Sequence, residues 1–338
     1  MSWPPLPNPY YSDDAVALYH GDCVEGVAAL PGEYSHMVLT DPPYFRVLDD
    51  DWDNRKSIAA FLADYRAWGR SWSRVLKPNG TLYAFMSSAM ESRLTCLLED
   101  ECGFAVLSHI VWTKPTSIQD RGRGGLRAFH SGDNERLVMA EPTDKEAWQS
   151  KTLALDITNK QYRLAAKTFA PIREYLESER QDVGLSCAEI DKELGYNGMA
   201  GHWFKDNQWS MPTQENYEKL QRLFNGHLRR EYDHLRREYD DLRREFTLGP
   251  HTAKGRPAGE VWSFPLGDSE HPASKPVAIM SHCIQTSTHP SDIIIDPFCG
   301  SGPVPFAAKA LGRRCIGFEL EERWLEMAAK RCRQGVLL

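Results

Sequence analysis

An α/β fold with a mostly parallel sheet covered by helices on both faces is predicted by three observations. Short apolar runs end at acids: His36-Met37-Val38-Leu39-Thr40 stops at Asp41, Ile293-Ile294-Ile295 at Asp296, and Arg314-Cys315-Ile316-Gly317-Phe318 at Glu319. Segments of helical period lie between such runs, the alternation of a layered βα sheet. A glycine-rich turn, Gly300-Ser301-Gly302, follows the second run directly and opens a helix.

The N-terminal zone, residues 1–114, supplies the first half of that sheet. Pro42-Pro43 after Asp41 forbids both a continuing ladder and a helix, so the first run ends there. From Ile58 to Val75, Phe61, Leu62, Tyr65, Trp68, Trp72 and Val75 recur at helical spacing. Lys77-Pro78-Asn79-Gly80 then reads as a turn. Thr81-Leu82-Tyr83-Ala84-Phe85 is the next strand, and a helix from Met90 to Glu101 with a strand from Val106 to Trp112 repeats the unit, giving a parallel half.

The middle zone, residues 115–262, is polar, Arg/Glu-rich and mostly helical in pattern, and reads as an insert. Ser186 to Gly195 is a capped helix with a glycine turn, and Asn197 to Phe204 a second short helix. With flanks at Ala170 to Arg180 and Tyr217 to Phe224, residues 170–224 match a helix-turn-helix, though also many purely structural corners. In that arrangement His202 and Lys205, with Asn197, Asn207 and Gln208, face nucleic acid. His227-Leu228-Arg229-Arg230-Glu231-Tyr232-Asp233 recurs through residues 234–240 and again, weaker, to 247, placing Leu228, Leu235 and Leu242 at one heptad position over 227–246. A surface helix packed on its own domain and a self-association helix both fit that stripe.

The last zone, residues 263–338, reads as a nucleotide-binding βαβ half. Gly300 and Gly302 allow a tight turn and close backbone approach, and the helix that follows offers free N–H groups. Glu319, about 20 residues on, stands where ribose hydroxyls would be bound. Neither a G-x-G-x-x-G nor a Gly-Lys-Ser/Thr pattern is present, which argues against dinucleotides and nucleoside triphosphates.

Of 338 residues, 41% are hydrophobic and 26% charged, enough for a full core in one large domain plus an insert. Eight cysteines form no C-x-x-C pair, and Cys23, Cys299 and Cys315 read as reduced core residues; no metal site is expected. No apolar run reaches membrane-spanning length, and Met1-Ser2-Trp3-Pro4-Pro5 lacks the basic and apolar stretches of a secretory signal, so a cytoplasmic protein without a membrane partner is expected. A net charge of -7 does not advertise a nucleic-acid binder, yet only the local field at a groove matters. Arg121, Arg123 and Arg127 in a glycine-rich stretch are the local basic candidate; a solvated loop is the alternative.

Two motifs then identify a family by resemblance. Asp296-Pro297-Phe298-Cys299-Gly300-Ser301-Gly302 resembles motif I, and Asp41-Pro42-Pro43-Tyr44 motif IV, of the amino-methyltransferases that act on DNA. His20-Gly21-Asp22 resembles motif III, His271-Pro272-Ala273-Ser274-Lys275-Pro276 motif X, and His109-Ile110-Val111-Trp112-Thr113-Lys114 motif VIII. That order, catalytic half first and cofactor half last, is similar to the β class of the family, with its circularly permuted Rossmann-like methyltransferase sheet. The resemblance covers a little over half the chain and implies S-adenosyl-L-methionine as cofactor and double-stranded DNA as partner. It implies Asp41, Pro42, Pro43 and Tyr44 as catalytic, and Asp22, Lys275, Asp296, Phe298, Cys299, Gly300, Ser301, Gly302 and Glu319 as cofactor-binding. Trp112 and Lys114 would line the target-base pocket, and the segment between motifs VIII and X would read the DNA site. The D-P-P-Y form resembles the adenine-N6 enzymes, cytosine-N4 enzymes more often beginning with serine; a DNA-binding regulator that kept the fold alone is the alternative from another class. By analogy with the β class a homodimer is expected, while the sequence is silent on a restriction endonuclease partner. One departure is visible: Pro303 and Pro305 follow the glycine turn where relatives carry threonines.

Overall fold

The computed structural model describes residues 3, 6, 8–45, 57–113, 134–143, 167–205, 209–246, 259–265 and 275–334. Two compact units divide the chain, the first Met1–Lys145 with Leu248–Leu338 and the second Glu146–Thr247. In chain order the elements are β1 (Tyr11–Ser12), β2 (Val16–His20), α1 (Cys23–Ala28), β3 (Ser35–Thr40), α2 (Ile58–Val75), β4 (Leu76–Met86), α3 (Glu91–Glu101), β5 (Phe104–Thr113) and β6 (Glu135–Pro142). The second unit holds α4 (Ala170–Val183), α5 (Cys187–Leu194), α6 (Met199–Phe204), α7 (Gln214–Leu223) and α8 (Tyr232–Phe246). Then follow β7 (Val261–Ser263), α9 (Val277–Ser287), β8 (Ile293–Asp296), α10 (Pro303–Ala310), β9 (Arg314–Glu319) and α11 (Glu322–Arg333).

Among the described residues the first unit forms one sheet of order β1-β2-β9-β8-β3-β4-β6-β5-β7. Strands β2, β9, β8, β3 and β4 run parallel. Alternate residues of these strands face opposite layers, as the pleat requires. Val38, Leu82 and Ala84 pack with α1, α2 and α3 on one side. Met37, Leu39, Tyr83 and Phe85 pack with α9, α10 and α11 on the other. Burial on both faces explains the near-continuous apolar runs of β3 and β8.

Helix α2 shows why the sequence folds locally as it does. Ser57 caps its first turn, accepting a hydrogen bond from the Ala60 N–H at 3.1 Å, worth about 1 kcal/mol. Phe61, Tyr65, Trp68, Trp72 and Val75 then bury one face against the sheet, each contributing roughly 1.5–3 kcal/mol.

Three expectations are corrected. Residues 77–80 do not end a strand-free turn; they belong to β4, whose register against β3 jumps from Ser35↔Leu76 to Met37↔Thr81. Strand β5 does not extend the parallel half directly, because β6 lies antiparallel between it and β4. The 115–262 insert boundary also moves inward: β6 lies inside that interval and β7 crosses its end, yet both pair with β5, and the apolar run Leu137-Val138-Met139-Ala140 buries in the sheet.

In the second unit, Ser186 and Glu189 form a reciprocal capping box at α5. The buried Asp191 side chain accepts hydrogen bonds from Gly198 N–H at 3.0 Å and Ala200 N–H at 2.9 Å, fixing the turn between α5 and α6. Helix α8 starts later than the repeat, at Tyr232, and Leu228, Leu235 and Leu242 all pack on this unit's own core with Ile172, Leu176 and Phe224. The heptad stripe is therefore consumed within the unit.

At the glycine turn, helix α10 begins at Pro303, with Gly302 as its left-handed N-cap at φ 80°. Pro303 sits where a missing N–H costs nothing and a fixed φ suits the first turn, so the proline departure is compatible with the helix start. A Cβ on Gly302 would lie 2.7 Å from Ala328 Cβ on α11. Gly302→Ala is expected to lower unfolding stability by about 2–4 kcal/mol through left-handed strain and overpacking; a denaturant melt with an unchanged midpoint would contradict this.

Candidate active site

Strand β3 pairs with β8 in parallel, Met37 opposite Ile294 and Val38 opposite Ile295. The chain leaves β3 toward β4 and β8 toward β9, in opposite directions along the sheet. Such a reversal opens a crevice beyond the carboxyl ends of the two strands. Asp41 lies at one of those ends and Asp296 at the other.

Asp41 is engaged on both oxygens. Lys275 Nζ donates to Oδ2 at 2.6 Å, and the Tyr44 hydroxyl donates toward Oδ1 at 2.9 Å. Glu135 completes the group: its Oε2 lies 3.2 Å from Lys275 Nζ and 3.0 Å from the Tyr44 hydroxyl. The ammonium also sits 5.1 Å from the Tyr44 ring centroid and 5.5 Å from that of Phe85. Because β6 is antiparallel to β4, its first residue rather than its last reaches the carboxyl edge of the sheet.

The electrostatics follow from burial. Burial pushes the Asp41 carboxyl up, the Lys275 ammonium pulls it down, and the Glu135 carboxylate pushes it up again; it ends above the ordinary carboxylate range. For Lys275, burial favours losing the proton, but Asp41 and Glu135 together outweigh it and hold the ammonium above its usual value. Burial and the same two carboxylates keep Tyr44 a hydroxyl, well above the phenol range.

Asp296 is buried, accepts from the Phe298 N–H at 3.2 Å, and is raised well above the carboxylate range by burial, with Asp41 and Glu319 adding to the effect. Phe298 is half-buried, its ring edge-to-face with Trp68 of α2 at 4.9 Å. Gly300 N–H donates to Glu319 Oε2 at 2.8 Å, and Glu321 N–H to Oε1 at 2.9 Å. Glu319 thus braces the turn, while each of its oxygens retains a second acceptor direction. Cys299 and Ser301 are buried beneath the turn.

The remaining sequence candidates fall elsewhere. Asp22 is exposed at the carboxyl edge after β2 and caps α1, accepting from the Val24 N–H at 2.6 Å. Lys275, expected at the cofactor, pairs with Asp41. Trp112, expected to face a base, is buried, its indole N–H donating to the Phe264 carbonyl at 3.0 Å; it packs edge-on against Phe85 behind the group around Lys275. His202 is half-buried on α6 and Lys205 exposed at its end, both in the second unit. Lys114, Arg121, Arg123, Arg127 and His271 lie outside the described residues, as do Asn207 and Gln208. Glu135 was missed by sequence reasoning; its signal was an acid heading a short apolar run inside an otherwise polar zone. No helix among the described residues is long and apolar enough to cross a membrane. In the second unit Glu179, Asp182 and His227 bring ligand atoms within 4.8 Å of one another, an empty surface cluster.

Lys275→Met would leave Asp41 and Glu135 facing each other without a cation. The proton affinity of Asp41, already raised by burial, then rises further above the unfolded value, so stability is kept at low pH and lost as pH rises through the folded pKa. The expected loss is about 3–5 kcal/mol at pH ~8 and clearly less at pH ~5; urea melts showing an equal loss at both would exclude this balance of charge.

Comparison with known proteins identifies the family. Residues 35–330 match the DNA methylase family of N6- and N4-directed enzymes. The chain is 25% identical over 341 residues to the type II methyltransferase M2.DpnII of Streptococcus pneumoniae, covering 96% of this chain and 92% of that one. It is likewise 25% identical over 345 residues to M2.LlaDCHI of Lactococcus lactis subsp. cremoris, covering 98% and 94%. Among solved structures, the PvuII cytosine-N4-specific DNA methyltransferase shares the fold with a TM-score of 0.54 at 14% identity, covering 96% of this chain and 88% of that one. A DNA modification methylase of Thermus thermophilus does so at 0.50 and 20% identity, covering 95% of each chain. The chain belongs to the DNA methylase family and is an S-adenosylmethionine-dependent DNA methyltransferase directed at exocyclic amines.

Proposed function

We propose that this chain methylates the N6 amine of an adenine turned out of duplex DNA, with Asp41, Pro42, Pro43 and Tyr44 as its catalytic element. The observation that carries the proposal is the position of the Asp41 carboxylate at the sheet reversal, next to the strand end that bears Asp296, Phe298 and the glycine turn. An aspartate at the head of this motif, rather than serine, supports adenine over cytosine as the target.

The carboxyl edge fits a cationic nucleoside. Asp41, Asp296, Glu319 and Glu135 gather there, and burial together with the repulsion of Asp41 and Glu319 raises Asp296 well above its ordinary range, so a positively charged ligand is favoured. Asp296, Phe298, Gly300 and Glu319 would hold S-adenosylmethionine, with Asp22 near the end of β2. When bound, the cofactor supplies an electrophilic methyl group on its sulfonium.

The protein's own part is positioning and electrostatics. Asp41 accepts one hydrogen of the target amine and a carbonyl of the rigid Pro42-Pro43 pair accepts the other. Both pulls raise lone-pair density on the nitrogen and aim it. The Tyr44 ring offers a face for stacking the extruded base. The raised proton affinity of Asp41 suits it to take the proton that the methylated nitrogen must shed.

The second unit is proposed as the target-recognition part, its α5–α6 pair resembling a helix-turn-helix with Lys205 exposed at the end of α6. The type II names of two relatives support a site-specific enzyme.

Mass spectrometry of nucleosides from DNA incubated with the protein and cofactor is expected to find N6-methyladenine; N4-methylcytosine alone would overturn the adenine assignment. Asp41→Ala is expected to lower transfer by about 10³-fold or more while calorimetry still detects cofactor binding. Turnover retained in that variant would refute the catalytic role.

A further inference from the structure

The group around Lys275 holds one carboxylate more than catalysis by Asp41 requires. Lys275 and Tyr44 each bridge the same two acids, Asp41 and Glu135. The Tyr44 hydroxyl has a single hydrogen, so it cannot donate fully to both carboxylates at once. A target amine needs Asp41 as acceptor; each Asp41 oxygen keeps a second acceptor direction, so the amine approaches beside Lys275 Nζ and the Tyr44 hydroxyl and competes with them for the same carboxylate. The amine is neutral, so to the extent that it draws Asp41 away from Lys275 it leaves the ammonium uncompensated there. A buried ammonium that lost its partner would be strongly disfavoured.

We propose that Glu135 is a positioning residue for methyl transfer: it holds the Lys275 ammonium and the Tyr44 hydroxyl in place and receives them when Asp41 turns to the target amine. This role rests on the catalytic reading of Asp41 given above. Glu135 reaches the group from β6, Lys275 from the segment entering α9, and Tyr44 from the loop after β3, so the second acceptor for the ammonium is provided from a different strand of the sheet than the base itself. Among the described residues, the charged and titratable groups around Asp41 are Lys275, Glu135, Tyr44, Asp296 on the neighbouring strand, and Tyr65 of α2. Glu135 is the like charge among them that touches the same ammonium and hydroxyl as Asp41.

The test compares wild type, Glu135→Gln and Glu135→Asp across pH, with DNA and S-adenosylmethionine saturating. In Glu135→Gln a like charge is removed beside Asp41, so the acid limb of kcat is expected to move to lower pH, with kcat lowered at its optimum. In Glu135→Asp the charge stays but is drawn back by one methylene: the acid limb stays near the wild-type pH, kcat falls by up to about 10²-fold, and the dissociation constant for S-adenosylmethionine is unchanged. A folded Glu135→Gln with the wild-type kcat and acid limb would overturn the proposal. Should that variant fail to fold, wild-type kcat in Glu135→Asp would overturn it equally. Wild-type protein that methylates no DNA amine, or Asp41→Ala that still turns over, would instead sink the catalytic reading, and the positioning role with it.

Discussion

The parallel pairing of β3 with β8 joins two stretches of chain that the sequence keeps far apart, and the candidate site exists only because of it. Both strands are buried on both faces, so their register is strongly specified; a slip of one residue would turn Met37 and Val38 to the wrong layers. With the register set, both strands end at one edge, and the acids closing them fall side by side. The chain's departure in opposite directions keeps that edge open.

Concentrating carboxylates at a half-buried edge has a cost that the surrounding residues distribute. Glu319 is satisfied by two backbone N–H groups, Asp296 by one, and Asp41 by a cation and a hydroxyl. Lys275 remains charged in a place that would otherwise strip its proton, because two acids face it. The arrangement favours a cationic ligand at one end of the edge and a hydrogen-bond-donating amine at the other, which is the pair of reactants an amino-methyltransferase brings together.

The second unit solves a different problem. Its heptad repeat supplies a narrow apolar stripe, and the unit's own helices cover it: Leu228 and Leu235 are buried against α4 and α7 residues, and Tyr239 stacks on Phe169. Most of the first repeat, residues 227–231, precedes the helix, which starts at Tyr232, and Asn225 and Gly226 just before it take positive φ. A sequence period alone could not distinguish burial within the unit from burial against a second copy.

Much was legible without coordinates. Hydrophobic runs closed by acids, the glycine turn and the aromatic spacing of α2 are local signals, and local physics reproduces them as β3, β8, β9 and one long capped helix. The tetrapeptide Asp41-Pro42-Pro43-Tyr44 and the glycine turn were recognisable because each carries its constraint in adjacent residues. What required the tertiary structure was non-local. That Lys275 pairs with Asp41, that Trp112 lies behind the site, and that β6 enters the sheet antiparallel all depend on which strand ends meet. Glu135 is marked in the sequence only as an acid ahead of a short apolar run; which end of that strand reaches the site is decided by the antiparallel pairing of β6 with β4, which the neighbouring residues do not encode.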